Sequence, residues 1–202
     1  MTSVNEIKIG ETQHMHYYDP KENDRVSLIP KQLYPVHAKK VDIRDVRVKG
    51  KYKATVYNVY YQIAEECSKH TFLTDKGEVT GAGFVGKEIR GTGVFMFLNP
   101  EPGDDFESNN GANESYLRFC ENIGVECPEV EVELDGEKTK VKQFPVLDAS
   151  DLIGKPIKAY IVEESWRDKS GQSRTSVKAV GFEKWEAPLR DDLKDKHDDI
   201  PF

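Results

Sequence analysis

Two short stretches of this chain combine rings with cations. Lys49-Gly50-Lys51-Tyr52-Lys53 interleaves one phenol ring with three ammonium groups, and the polar run from Ser165 to Arg174 carries Trp166, Arg167, Lys169 and Arg174. Cations neutralise phosphates, and exposed rings stack on unpaired bases at ~1–3 kcal/mol per stack. The combination therefore points to a single-stranded polynucleotide. Tyr52, beside a glycine and between lysines, is a poor core residue and is assigned to stacking. Trp166 has two readings, a stacking face or a cover over a barrel end. Tyr60 is open between stacking and packing, whereas Phe95 is assigned to the core. A lone lysine such as Lys51 or Lys169 is more often plain solvated surface.

A third stretch has different chemistry. Asp198-Asp199-Ile200-Pro201-Phe202 ends the sequence with two carboxylates, a stiff proline and a terminal ring. Such a peptide can dock on a partner by meeting Lys or Arg with its acids and an apolar pocket with Phe202, while Pro201 limits the entropy lost. An acidic end can also serve only as a solubilising tail.

The net charge of −7 by itself disfavours a phosphate-rich partner, but the charge is unevenly placed. Residues 36–53 hold seven basic side chains against Asp42 and Asp45, while residues 99–139 hold twelve acidic groups against Arg118 and Lys138. A chain that is acidic in sum can still present a basic groove. No apolar run approaches the ~18 residues that span a bilayer, and the start lacks the pattern of a secretory signal, so a cytoplasmic location without membrane contact is expected. Cys67, Cys120 and Cys127 form no paired framework and read as reduced thiols. Cys67, His70, Cys120 and Cys127 could supply a zinc set, but the Cys120–Cys127 spacing is loose and Cys120 fits a buried helix face. No nucleophile-His-acid set stands out among the five histidines, so neither an enzyme nor a cofactor is expected.

These residues need elements to position them. Val41, Ile43, Val46 and Val48 suggest a long first strand with a bulge near Arg44-Asp45, where the apolar parity changes. Ala54 to Ala64 is rich in β-branched and aromatic residues and predicts the best strand, with Thr55, Tyr57, Val59, Tyr61 and Ile63 facing the core. Residues 65–93 hold six of the fifteen glycines, which predicts short or coiled strands, and Gly81 to Gly86 reads as a twisted strand rather than a phosphate loop. Val94 to Leu98 predicts a third principal strand. Residues 101–112 read as a solvated acidic loop. Asn113 to Gly124 predicts a helix that Asn113 or Ser115 caps and Gly124 ends, with Tyr116, Phe119, Cys120 and Ile123 on one face. An inserted hairpin over 129–141 and strands over 157–162 and 175–185 complete the pattern.

Three β segments, a helix and two further strands are the order of an OB-fold, a five-stranded barrel with its helix between strands 3 and 4. The predicted organisation is a mobile arm over 1–27, the barrel domain over 28–185, and a disordered acidic tail over 186–202. In an OB barrel the turns at 49–53 and 165–174 flank the ligand face.

Leu28-Ile29-Pro30 with Tyr34, Phe97-Leu98-Asn99-Pro100 before the helix that ends in Ile123-Gly124, and Leu152-Ile153-Gly154-Lys155 before strand-turn-strand together resemble a family of phage-encoded single-stranded-DNA-binding proteins. Asp198 to Phe202 is similar to the C-terminal tip of bacterial single-stranded-DNA-binding proteins. The resemblance covers roughly residues 28–185 plus the tip; the insert at 125–147 and the glycine-rich 77–93 depart from it. It implies a protein of DNA replication, recombination or repair that coats single strands and recruits enzymes through its tip. An OB-fold interaction adaptor, an RNA-binding protein or a small metal-dependent nuclease are the alternatives.

Overall fold

The computed structural model describes residues 29–74, 77–105, 108–134 and 136–194. The arm expected over 1–27 and the tip at 198–202 lie outside the described residues. β1 (Leu33–Val48) and β2 (Tyr52–Ile63) form a long antiparallel hairpin. β5 (Glu88–Gly91) pairs with the end of β2 and β6 (Val94–Phe97) with its beginning, so the two short strands share one position in the barrel. β9 (Pro156–Arg167) pairs with β1 and with β10 (Ser173–Glu183), and β10 runs parallel to β5. The ring β1–β2–β5–β10–β9–β1 is closed, an OB-fold-like barrel of five positions, and α1 (Glu114–Asn122) lies between the third and fourth in chain order, as the sequence predicts.

The core follows from strand parity. Tyr57, Val59, Tyr61 and Ile63 of β2 point inward and are almost wholly buried, against Val36 and Val41 of β1, Ile157 and Ile161 of β9, and the α1 face carrying Tyr116 and Phe119. Burial of such side chains contributes roughly 1.5–3 kcal/mol each. Buried phenols need partners, and Tyr116 donates to the Pro145 carbonyl at 2.6 Å while Tyr57 accepts from the Leu147 amide at 3.3 Å. β3 (Thr71–Thr74) and β4 (Gly77–Thr80) form a small hairpin that sends Phe72 onto Tyr34, with ring centroids 4.8 Å apart. β7 (Glu129–Leu134) and β8 (Glu137–Lys142) are the expected inserted hairpin. Glu129, Glu131 and Glu133 stand opposite Lys142, Lys140 and Lys138, so its charges answer one another.

Local expectations are corrected in four places. The bulge in β1 lies between Ala38 and Lys40, not at Arg44-Asp45. There the chain leaves its β9 partner and bonds instead to Gly154 and Lys155 of the turn after α2 (Ala149–Leu152), through Gly154 N–H to Ala38 O at 2.7 Å and Ala38 N–H to Lys155 O at 3.0 Å. Gly81–Phe84 is a 3-10 turn rather than a strand, because Gly81 packs its backbone directly over Cys67. Asn113 precedes α1 but does not cap it with its side chain. It accepts from the Phe97 amide at 2.7 Å and donates to the Phe97 carbonyl at 2.9 Å, fixing the helix start to β6.

The fourth correction concerns the tail. The chain expected to leave the domain at Glu186 stays on the barrel through Lys194: Arg190 N–H donates to Gly154 O at 2.9 Å, and Leu193 is buried. His37 takes part in the same attachment. It is 4 % exposed, its ring lies 5.2 Å from that of Trp185, and its Nε2 lies 3.3 Å from the Pro188 carbonyl oxygen. Burial, outweighing the opposing hydrogen bond to the Pro188 carbonyl, holds the His37 pKa below its ordinary value. The unfolded chain therefore binds a proton that the native chain does not. This stability is complete above the ordinary imidazole value of about 6.5 and is lost as pH falls from there toward the depressed native value. In a Trp166→Phe background, Trp185 emission is expected to shift to the red between about pH 7 and about pH 5, and His37→Gln should abolish the shift. An emission maximum that stays fixed across that window would rule out this role for His37.

Candidate nucleic-acid interface

The turn between β1 and β2 is short, with three residues between the paired Val48 and Tyr52. Lys49 and Gly50 both have positive φ, 53° and 71°, and Lys51 N–H donates to Val48 O at 3.1 Å, which closes the turn. Tyr52 pairs with Val48 and has the outward parity of β2, with Lys51 Nζ 5.3 Å from its ring centroid. The acidic loop expected to be merely solvated folds back on this turn. Lys51 meets Asp105 Oδ2 at 2.9 Å and Lys53 forms an ion pair with Glu101. The Asp105 hydrogen bond accordingly raises the Lys51 pKa above its ordinary value.

The turn between β9 and β10 is built on Asp168. Its Oδ1 accepts from Ser170 Oγ at 2.6 Å, Ser170 N at 2.9 Å and Gln172 N at 3.1 Å, and its Oδ2 accepts from Arg174 Nε at 2.9 Å. The Ser170 hydroxyl first, and the Arg174 guanidinium second, hold the Asp168 carboxyl below the usual range. Arg174 thus shapes the turn as well as presenting charge, while Arg167 and Lys169 are exposed. Trp166 pairs across the strands with Arg174 and is 46 % exposed, so it does not cover a barrel end. It lines a cleft of about 410 Å³ together with Arg90, Glu164 and Lys178.

Strand register connects these parts. Lys40 stands opposite Tyr60, Tyr60 opposite Arg90, and Arg90 opposite Lys178, placing four residues from β1, β2, β5 and β10 in one row. Ile89 and Ala179 beside them are buried, so the row faces outward. Adjacent strands are ~4.8 Å apart, which makes a cationic stripe ~15 Å long with one ring in it. Lys40 Nζ lies 5.9 Å from the Tyr60 centroid, and Lys178 Nζ meets Glu164 Oε1 at 2.6 Å.

The same register shows which predicted residues come together. Tyr60 and Trp166 lie on the outward face with Arg90 and Lys178. Lys49, Lys51, Tyr52 and Lys53 lie beyond the row on the opposite side from Trp166, with Tyr52 ~26 Å along β2 from Tyr60 at ~3.3 Å per residue. Phe95 is corrected from core to surface: it is 36 % exposed, opposite Val56 on the outer face, with its ring 6.1 Å from that of Phe97 at an interplanar angle of 27°. Sequence reasoning missed Lys40, Arg90, Lys178 and this exposed Phe95. Arg90, Lys178 and Phe95 are single residues between more buried positions on a strand and Lys40 follows Lys39 at the β1 bulge, and only pairing across the barrel makes a group of them.

Burial pushes the Cys67 thiol up to about 11 and the Cys120 thiol up to about 12. Among the described residues no three His, Cys, Asp or Glu side chains converge as metal ligands, and no helix of the described chain is long and apolar enough to cross a membrane. No family model, curated protein or solved structure matches this chain.

Proposed function

We propose that this chain binds single-stranded DNA across the outer face of the barrel, with little sequence preference, in the service of DNA replication, recombination or repair. The observation that carries the reading is the in-register row Lys40–Tyr60–Arg90–Lys178, extended by the exposed Trp166. Phosphates meet the cations, and bases lie on the rings. A duplex hides its base faces, so rings between cations favour an unpaired strand. Contacts to phosphates and to ring faces carry little base identity, which accounts for the expected tolerance of sequence. The Asp198–Phe202 peptide is the docking segment for partner enzymes in this proposal, through its carboxylates and terminal ring.

Titration with oligothymidylates of graded length, followed by anisotropy at several salt concentrations, tests the proposal. Affinity should rise with length until the site is filled, and should fall with salt with a slope of about −0.7 per phosphate neutralised. Absence of binding, or a flat salt dependence, would remove it; tighter binding to oligouridylate would move the assignment to RNA. Deleting 198–202 should leave or tighten DNA affinity and abolish capture of replication or recombination enzymes. Unchanged capture would refute the role of the tip.

A further inference from the structure

The barrel wall is interrupted beside the row. β10 pairs with β5 through only two residue pairs, Lys178 with Arg90 and Ala179 with Gly91. Beyond them Thr92 bonds the Ala179 carbonyl with both its amide, at 2.9 Å, and its hydroxyl, at 3.2 Å. Val180 then bulges out of the ladder and is 38 % exposed. β6 continues along β2 alone. Where β6 and β10 separate, a cleft of about 550 Å³ opens, with Phe95 and Phe97 on one wall, Phe119 and Phe182 in its depth, and Arg118 and Ser115 of α1 on its rim. That volume lies in the ~300–1,000 Å³ range of small-ligand sites.

Thr92 and Gly93 line both this cleft and the one that holds Arg90, Lys178 and Trp166, so the two adjoin. Gly93 contributes only backbone at the junction. On β6, Phe95 and Phe97 continue the outer face from Arg90 toward the β1–β2 hairpin, because Phe95 stands opposite Val56 and Phe97 opposite Ala54. A strand following the outer face from Trp166 toward Tyr52 must therefore pass the mouth of the cleft.

We propose that the cleft takes a nucleobase of the bound strand, swung out of line between β6 and β10, with Arg118 contacting the phosphate beside it. The inference rests on the single-strand reading above. Near-parallel phenyl faces suit the flat surface of a base, the hydroxyl of Ser115 and the side-chain oxygen of Asn122, whose nitrogen donates to Phe182 O at 3.0 Å, line the cleft and suit the polar edge, and Arg118 is held at the rim by Glu114 at 2.5 Å. A base here would be gripped more firmly than one laid on the open face, because it is enclosed on several sides.

Ser115→Trp and Ala112→Trp fill the cleft from exposed positions without removing a core side chain. Each should preserve the melting temperature and lower affinity for oligothymidylate about tenfold, the loss of roughly one stacked base. 2-Aminopurine placed singly along the oligomer should report one or two positions whose emission changes sharply with the wild-type chain and not with the filled variants. Arg118→Ala should weaken binding while leaving that pattern in place. Wild-type binding that both fillings leave unaltered, in affinity and in 2-aminopurine pattern, overturns the base cleft and leaves the single-strand reading standing. Failure of the wild-type chain to bind any oligothymidylate overturns both. Loss of binding to an extended peptide library in the filled variants, with oligothymidylate affinity intact, would show a peptide groove and also overturn the inference.

Discussion

Replacing Arg90 and Lys178 together by alanine is expected to weaken oligothymidylate binding by about a hundredfold or more. Hydrogen bonds to charged groups contribute roughly 1.5–3 kcal/mol each, and the double variant loses two charged positions of the row. The dependence of log affinity on log salt should flatten by about 0.7 through Arg90, since each phosphate contact on a single strand contributes ~0.7 to the slope, while Lys178, already paired with Glu164, adds little. The fold should be nearly indifferent: Lys178 pairs with Glu164 at a partly exposed position, and such pairs contribute ~0–1 kcal/mol. Lys138→Ala, in the self-paired β7–β8 hairpin, is the matching control and should leave both affinity and slope alone. Anisotropy titrations at three salt concentrations read all of these quantities. A double variant that retains its affinity, or loses it without a change in slope, would place the phosphate contacts elsewhere on the barrel.

A large loss of stability is expected from Gly154→Ala. Gly154 has φ of +83°, and a Cβ there would lie 2.5 Å from the Arg190 carbonyl oxygen and 3.0 Å from its carbon. Its amide is bonded to Ala38 at the β1 bulge and its carbonyl accepts from Arg190 N–H. One methyl group therefore strains the backbone and forces the returning chain off the barrel, at a cost of roughly 3–5 kcal/mol. Gly50→Ala is the comparison. It has a similar φ of +71° but nothing within 4 Å of the added carbon, so it should cost only ~1–2 kcal/mol. Urea melts of the two variants separate overlap from backbone strain, and equal losses would contradict the close approach of Arg190. Gly154→Ala should also speed proteolysis after Arg190 and Lys194, residues that the wild-type chain holds against the domain.

The barrel was legible in the sequence because its cues are local. β2 announces itself through a dense run of β-branched and aromatic residues, the helix through Tyr116, Phe119, Cys120 and Ile123 at helical spacing, and the inserted hairpin through Val130 and Val132 before Asp135-Gly136. Tyr60 and Trp166 could be singled out as candidates because a ring on a polar face or in a basic turn is conspicuous alone. Arg90 and Lys178 could not, because their neighbourhood is made by β5 and β10 running side by side, a pairing between segments some ninety positions apart. Leu193 shows the same limit from the apolar side: a single leucine among charged residues has no periodicity, yet it is buried once Gly154 holds Arg190. The acidic loop was read by composition, and composition says nothing about which cations a loop returns to.

That returning loop alters what the hairpin lysines can release. Lys51 and Lys53 already face Asp105 and Glu101, so a phosphate arriving at either expels its condensed small ion but frees a carboxylate that draws one back, and the net release is small. The most conspicuous basic segment of the sequence should therefore be nearly silent in a salt titration. Neutralising Glu101 and Asp105 would make it heard, giving a steeper curve from a chain with fewer carboxylates and no added lysine.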